Sequence, residues 1–107
     1  MPAEKNPLKA KRWPPIRPAL RSFRTGRAVA TPGVLETVPR TELFAALERH
    51  KRCDWGGVSE ADWKANDRAL KNGERLLSSY CAENGTKFWI ITEGDRSYTT
   101  VLLPKEY

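Results

Sequence analysis

Cysteine is scarce in this chain of 107 residues, and long apolar runs are missing altogether. The two cysteines, Cys53 and Cys81, lie far apart, and no set of His, Cys, Asp and Glu residues has the spacing of a metal site. No apolar run approaches the roughly 18 to 20 residues that span a bilayer, and the N-terminus lacks the apolar core of a secretory signal. We therefore expect a cytoplasmic protein with reduced thiols, no metal, no cofactor and no membrane partner.

Two sequence signatures of nucleotide and RNA binding are also missing. Gly56, Gly57 and Gly94 are isolated turn glycines and do not form a phosphate-binding loop. The usual signature of RNA-binding sheets is absent, and the sequence contains no internal repeats. A chain of this length supports one domain. Its function therefore has to be sought in individual residues and surfaces.

The positive charge is concentrated at the N-terminus. Residues 1–27 hold eight Lys or Arg against the single acid Glu4, a net charge of +7, whereas the remaining residues carry about −1. Five prolines lie within residues 1–24, so we expect residues 1–25 to form an extended or disordered basic arm and residues 26–107 to form one compact domain. The arm is a candidate nucleic-acid anchor. Its candidate contacts are Lys9, Lys11, Arg12, Arg17, Arg21, Arg24 and Arg27.

Residues 75–107 are predicted to form three antiparallel strands. Asn84-Gly85 is typical of a two-residue type I′ turn, which would place Tyr80 opposite Trp89. Residues 93–96 supply a second turn, and Pro104 ends the third strand because it has no N–H to donate. In this register Tyr80, Trp89 and Tyr98 share one face. That face is either covered by the rest of the chain or is a partner face on which bases or a protein could stack.

Three helices are indicated before the strands. Thr31 is a candidate N-cap, with Pro32 at the first helical position. A second helix is predicted over residues 41–53, with Leu43, Phe44, Leu47 and His50 as its apolar stripe. A third runs over residues 59–72, from a capping box to Asn72-Gly73. The predicted fold class is α+β: two or three helices packed on a three-stranded antiparallel meander, with room for a short fourth edge strand in residues 26–30.

Several short motifs resemble one small protein family, whose members are compact bacterial proteins often encoded on plasmids and other mobile elements and labelled hypothetical or plasmid-related. The resemblance covers about residues 26–107. The motifs are residues 26–33 (GRAVATPG), Arg49-His50, Asp54-Trp55-Gly56, Thr92-Glu93, Asp95-Arg96-Ser97, Thr99-Thr100, Leu102-Leu103-Pro104 and Glu106-Tyr107. The resemblance implies a mobile-element context and no particular chemistry.

The chain departs from that family pattern at two places. Residues 1–22 are longer than the usual start, so the basic arm is peculiar to this chain. The family run Gly-Asp-Trp-Gly-Asp is here Cys53-Asp54-Trp55-Gly56-Gly57, which removes one carboxylate. This loss weakens any mechanism that needs two carboxylates at this position.

Four residues are candidates for chemistry: His50, Asp54, Asp95 and Arg96. A histidine with carboxylates and an arginine could cleave RNA by general acid–base catalysis, with the arginine steadying the phosphate. The structural alternative is that His50 caps a helix end, Asp54 makes an Asx turn, and the other two form a turn pair. The sequence leaves open whether they meet in space.

Three functions follow from these observations. The first is a small non-enzymatic binding module of a mobile genetic element, acting on a host protein or nucleoprotein complex such as defence or plasmid-maintenance machinery. The second is a nucleic-acid-binding protein that uses the basic arm and the sheet aromatics on RNA or DNA. The third is a ribonuclease-like toxin centred on His50.

Overall fold

The computed structural model describes residues 21–107 of the chain. The elements, in chain order, are strand β1 (Arg27–Ala30), helices α1 (Pro32–Thr37), α2 (Arg40–Lys51) and α3 (Glu60–Asn72), strands β2 (Leu76–Cys81), β3 (Lys87–Thr92) and β4 (Tyr98–Leu102), and a C-terminal 3₁₀ turn (Pro104–Glu106). The α+β prediction is confirmed. Residues 21–26, which precede β1, are described as well and contact the domain.

The sheet is mixed and has four strands in the order β1-β4-β3-β2. Strands β2, β3 and β4 form the predicted antiparallel meander, and β1 adds to β4 in parallel. The short fourth edge strand that the sequence left room for is present, and because it runs parallel to β4 the sheet is mixed and not purely antiparallel. In β1 the main-chain N–H groups of Arg27 and Thr31 bond to carbonyls of Ser97 and Val101, which fixes the register on β4.

The helix starts follow from capping chemistry, as predicted. The Thr31 hydroxyl accepts a hydrogen bond from the N–H of Val34, and the Ser59 hydroxyl accepts one from the N–H of Asp62. At the end of α3, Gly73 adopts the left-handed conformation with a φ of 70°. These are local signals, and each places its helix end within one residue of the expected position.

The β2–β3 hairpin does not have the predicted register. Its loop has three residues, 83–85: the N–H of Gly85 bonds to Ala82 O at 2.9 Å, and the N–H of Ala82 bonds to Thr86 O. Only Gly85 has positive φ in this loop, at 91°, so the turn is a type I turn with a glycine bulge and not a type I′ turn. The side chain of Asn84 holds this turn by accepting from the N–H of Thr86.

The extra loop residue shifts β2 by one position and moves its side chains to the opposite face. Tyr80 therefore pairs with Phe88, while Trp89 pairs with Ser79 and Leu102. The predicted grouping of Tyr80, Trp89 and Tyr98 on one face is wrong for this reason. Tyr80 lies on the helix side of the sheet, and the other two aromatic residues lie on the opposite side.

The core lies between the helices and one face of the sheet, in two clusters. The larger cluster joins α1 and α2 to the sheet through Val34, Val38, Leu43, Ala46, Tyr80, Ala82, Phe88, Ile90, Val101 and Leu103. The smaller cluster joins α3 to β2 through Cys53, Trp55, Trp63, Ala69 and Leu76, and Phe23 packs against it. Phe23 stacks on Trp55 with ring centroids 6.0 Å apart. The contacts of the domain therefore begin before residue 26.

The outer edge of β2 is closed by the chain itself. Asn66 on α3 accepts from the N–H of Leu77 and donates to its carbonyl, so one amide side chain imitates a neighbouring strand. Two residues further along, the N–H of Ser79 bonds to Trp55 O and its carbonyl accepts from Gly57. This edge is therefore unavailable for pairing with another chain.

The face of the sheet away from the helices is partly covered. The C-terminal 3₁₀ turn contacts β3, and Tyr107 packs edge-on against Trp89 with ring centroids 5.8 Å apart. Ile91 and Leu102 are buried on this face, whereas Tyr98 is 45% exposed.

The longest helix described has 13 residues, and within residues 21–107 no helix combines the length and apolar character that crossing a bilayer requires.

Candidate functional site

An apolar groove lies beside the outer edge of β1, between that strand and helices α1 and α2. Its volume is about 280 Å³. Ala28, Val29 and Ala30 form one wall, and Leu35, Phe44 and Leu47 form the other. Val34 and Leu43 bury their side chains against the sheet and hold the two helices in place. The next residue of each helix, Leu35 or Phe44, is exposed at the edge of the groove.

The groove holds two of the large apolar side chains that the described residues expose. These exposed residues are Val29 (42%), Leu35 (41%), Phe44 (66%), Tyr98 and Tyr107. Leu35 and Phe44 lie at the groove, whereas Val29 pairs with Thr100, so its side chain lies on the face away from the helices. The predicted apolar stripe of α2 is wrong for Phe44. The helix buries Leu43, Ala46 and His50, and Phe44 lies outside this buried face. Single exposed apolar residues are ordinary on protein surfaces, but a cluster around a groove is typical of a contact surface.

The backbone at the groove is an unpaired strand edge. In parallel pairing, Arg27, Val29 and Thr31 direct their main-chain groups toward β4, as the bonds to Ser97 and Val101 show. Ala28 and Ala30 therefore direct theirs outward, and within residues 21–107 no strand lies on that side. The two edges of the sheet differ, because β2 is closed by Asn66 whereas β1 is open along the groove.

Among residues 21–107, Arg40 is the one charged residue that lines the groove. It lies at the first position of α2, and no carboxylate among residues 21–107 forms an ion pair with it. The groove therefore combines an apolar lining with a single positive charge. Such a surface suits a ligand with apolar side chains and a carboxylate.

His50 belongs to a buried polar chain between the two core clusters. Its Nδ1 lies 2.5 Å from the Ser78 hydroxyl and its Nε2 lies 2.8 Å from the Thr92 hydroxyl. The chain continues from Thr92 to the Thr99 hydroxyl at 2.7 Å and ends on the Thr25 carbonyl. The imidazole is fully buried and is also flanked by the rings of Phe23 and Trp55.

The carbonyl acceptor at the end of this series of hydrogen bonds determines the tautomer of His50. A carbonyl can only accept, so Thr99 donates to Thr25 O and must accept from Thr92. Thr92 then accepts from His50, which places the ring proton on Nε2 and leaves Nδ1 to accept from Ser78. Burial, and then the positive charge of Arg96, lowers the pKa of His50 to about 3. The imidazole is therefore neutral, with both nitrogens occupied and no contact with solvent.

The other three candidates for chemistry serve turns and helix ends. Asp54 accepts from Arg49 at 2.8 Å and from the N–H of Gly56, which is the Asx turn expected from the sequence. Asp95 is exposed and accepts from the N–H of Ser97. The hydrogen bond of the Ser97 side chain, and then that of its N–H, lowers the pKa of Asp95. Within residues 21–107, His50 is hydrogen-bonded to Ser78 and Thr92 and not to either carboxylate.

Arg96 comes closest to His50 but is occupied by carbonyls. It has a positive φ of 61°, and its guanidinium donates to the carbonyls of Glu74, Glu93, Gly94 and Ala69. One of these carbonyls, that of Ala69, lies in the last turn of α3, where a positive charge is favourable. The guanidinium also lies 5.7 Å from the ring centre of Phe23, and the same ring packs edge-on against His50. The four candidates thus do not form an open catalytic site.

The partner-face residues are divided between different environments. The Tyr80 hydroxyl donates to Asp54 O at 2.6 Å, and burial raises the pKa of this hydroxyl. Trp89 is half-buried beneath Tyr107, and Tyr98 is exposed beside β1. A stacking platform of three aromatic rings is therefore not present.

Four candidate nucleic-acid contacts, Lys9, Lys11, Arg12 and Arg17, lie outside the described residues. Arg21 forms an ion pair with Asp67 on α3 at 2.9 Å, and the same carboxylate accepts from the indole N–H of Trp55. Arg24 and Arg27 are exposed. The root of the basic arm is thus fixed against α3, on a different part of the domain from the groove.

Sequence reasoning missed the groove, although part of its signal was present. Leu35 neighbours Val34 in a helix of six residues, which can bury only one of the two against the sheet. The open edge of β1 could not be recognised without knowing which strand it joins.

Within residues 21–107, no three His, Cys, Asp or Glu side chains are grouped as metal ligands. No family model, curated protein or solved structure matches the chain.

Proposed function

We propose that this chain is a non-enzymatic binding module that recognises a protein partner through the groove beside β1. One observation carries this proposal: two exposed large apolar side chains, Leu35 and Phe44, converge on a groove next to an unpaired strand edge. The mobile-element context suggested by the sequence motifs makes the partner a host protein or a nucleoprotein complex of defence or plasmid maintenance.

The available energy is sufficient for recognition. A phenylalanine side chain offers about 200 Å², and Phe44 exposes 66% of its surface. Covering it would contribute up to about 3 kcal/mol at ~25 cal/mol per Å², which corresponds to about a hundredfold in affinity. Leu35 adds a smaller amount. An aromatic residue at the centre of an apolar patch is the usual arrangement of a binding hot spot.

The placement of His50 supports a binding role over the ribonuclease-like alternative. His50 is the chain's single histidine, and it is fully buried, neutral and hydrogen-bonded at both nitrogens. A general base must reach the proton that it removes, directly or through one water. The candidate general base is therefore committed to the core.

Site-specific photocrosslinking in bacterial cells tests the proposal. A photoreactive phenylalanine analogue replaces Leu35 in the groove and, as a control, Lys64 on the exposed side of α3. We expect a protein adduct from the Leu35 position that is absent from the Lys64 position and is lost when Phe44→Asp is added. The purified adduct partner should then bind the wild-type chain and bind the Phe44→Asp chain at least tenfold more weakly. Tyr98→Asp, at an exposed aromatic on the opposite face, should bind like wild type.

Three results would count against this function. A Leu35 adduct that persists in Phe44→Asp would show that the groove does not recognise the partner. Adducts to nucleic acid alone would favour the basic arm and its candidate contacts. Metal-independent RNA cleavage by the purified chain that disappears in His50→Gln would favour the toxin hypothesis.

A further inference from the structure

The open edge and the groove lie side by side, and this arrangement suggests how a partner would bind. We propose, resting on the protein-binding function above, that the partner supplies an extended segment that adds to β1 as a fifth strand. That segment would carry apolar residues at alternating positions and a carboxylate for Arg40.

The backbone of β1 is prepared for such pairing. Ala28 and Ala30 direct their N–H and C=O groups away from β4, which gives two donors and two acceptors along one edge. Their side chains are methyl groups, so an approaching backbone meets no bulky obstacle. Main-chain hydrogen bonds of this kind give affinity with little dependence on sequence, and the neighbouring pockets provide specificity.

The groove then selects the side chains of the added strand. Side chains alternate between the two faces of a strand, so every second residue of the segment would lie on the helix side, where Leu35, Phe44 and Leu47 form the wall. Residues i and i+2 of the segment are about 7 Å apart and can enter the groove together. The expected pattern is therefore two apolar residues separated by one residue of any type.

Arg40 determines the charge of the occupant. A carboxylate near the apolar pair would complete an ion pair that the described residues leave unmade. The chain's own arm is a poor match, because residues 1–20 contain one acid and five prolines, which cannot donate to a strand ladder. A second copy pairing through β1 would present only Ala28 and Ala30 to the groove, and these methyl groups do not fill it.

A displayed library of random linear peptides provides the probe. The library is selected on the full-length chain after depletion on Phe44→Asp, and enriched peptides are synthesised with a fluorophore for anisotropy titrations. We expect apolar residues at i and i+2, and a nearby Asp or Glu whose replacement by Lys weakens binding at least tenfold. Arg40→Glu should restore the binding of that Lys peptide, because the charges are exchanged.

Methylation of single peptide amides tests the strand geometry without altering the protein. N-methylation should weaken binding at least tenfold at every second residue, where the amide faces β1, and about twofold or less at the residues between. On the protein side, Ala28→Pro removes one outward donor and leaves the bonds to β4 intact. It should weaken binding at least tenfold, with an unchanged circular dichroism spectrum.

The outcomes separate this inference from the proposed function. If the crosslinked partner depends on Phe44 but its binding segment is helical, or if N-methylation shows no alternation, strand addition is refuted and the binding function stands. If no peptide is enriched on wild type over Phe44→Asp, the inference also fails. A concentration-dependent dimer of the chain that is abolished by Ala28→Pro would replace the foreign segment with a second copy.

Discussion

Acid should destabilise this protein well above the pH at which carboxylates titrate, because its one histidine is buried in the neutral form. His50 has an ordinary pKa of 6.5 when unfolded and a pKa of about 3 in the folded protein. The unfolded chain therefore binds a proton that the folded chain rejects throughout this interval. The protein has its full stability above pH 6.5 and loses stability as the pH falls toward 3.

The size of the loss follows from the shift. Each pH unit between the two pKa values lowers the free energy of unfolding by about 1.4 kcal/mol. Between pH 6.5 and pH 5 the loss is about 2 kcal/mol, and it would reach about 5 kcal/mol at pH 3. No screening correction is needed because the imidazole is fully buried. A loss of about 2 kcal/mol is a large part of the stability of a domain of this size.

Urea unfolding at pH 7, 6 and 5 measures this effect, with His50→Gln as the comparison. The wild-type midpoint should fall steeply across the series. Whatever its stability at pH 7, the variant should lose less unfolding free energy than the wild type, and the difference should be about 1.4 kcal/mol per pH unit, as expected for one proton. Carboxylates with a lowered pKa, such as Asp95 and Glu106, contribute only nearer their own range and do so equally in both chains. Parallel dependences in the two chains would show that His50 is not buried neutral.

Three other expectations can be measured directly. Gly56→Ala should cost about 2–4 kcal/mol of stability, because φ is +75° and the new Cβ would lie 2.1 Å from Ser79 O. Gly85→Ala meets no atom within 4 Å and should cost about 1 kcal/mol. Equal melting temperatures of the two variants would contradict this packing. Phe23→Ala should lower stability by about 2 kcal/mol in thermal unfolding, and a neutral result would place Phe23 outside the fold. If the arm anchors nucleic acid, removing residues 1–20 should abolish binding to duplex DNA together with a salt slope of about −0.9 per phosphate contact; equal binding by both chains would exclude the arm.

The sequence predicted those parts of the fold that depend on neighbouring residues. Capping side chains and a glycine placed α1 and α3, the apolar pattern placed α2, turn residues separated three strands, and a short fourth strand was expected at residues 26–30. The Asx turn of Asp54 was also predicted correctly. Each of these features is decided within a few residues of the chain, so the local signal is sufficient.

The register of the hairpin could not be decided by local signals alone. Asn84-Gly85 suits both a two-residue loop and a three-residue loop with a glycine bulge. The longer loop is favoured by contacts that are distant in sequence: Asn84 donates to Thr37 O, and the N–H of Glu83 bonds to the Glu42 carboxylate. These bonds join the turn to α1 and α2. One residue of difference was enough to separate Tyr80 from Trp89.

The groove depends on contacts that are still more distant. β1 joins β4 across some seventy residues, and nothing within residues 26–30 specifies that partner or the parallel direction. The role of Phe44 depends on this placement, since the same residue would be buried if β1 or another strand extended beneath it. His50 is likewise explained only by hydroxyl groups contributed from three different strands.

The distribution of polar and apolar groups bears on function more than any single motif does. A catalytic site needs its titratable groups at a surface that substrate can reach, yet here the histidine is sealed in the core and Arg96 is bound by four carbonyls. An apolar side chain beside an open strand edge is suited to contact with another chain, and here Phe44 exposes 66% of its surface next to the open edge of β1. The one histidine is thus out of reach of a substrate, whereas an aromatic side chain exposed at an open edge favours association. Both placements support the proposed binding function.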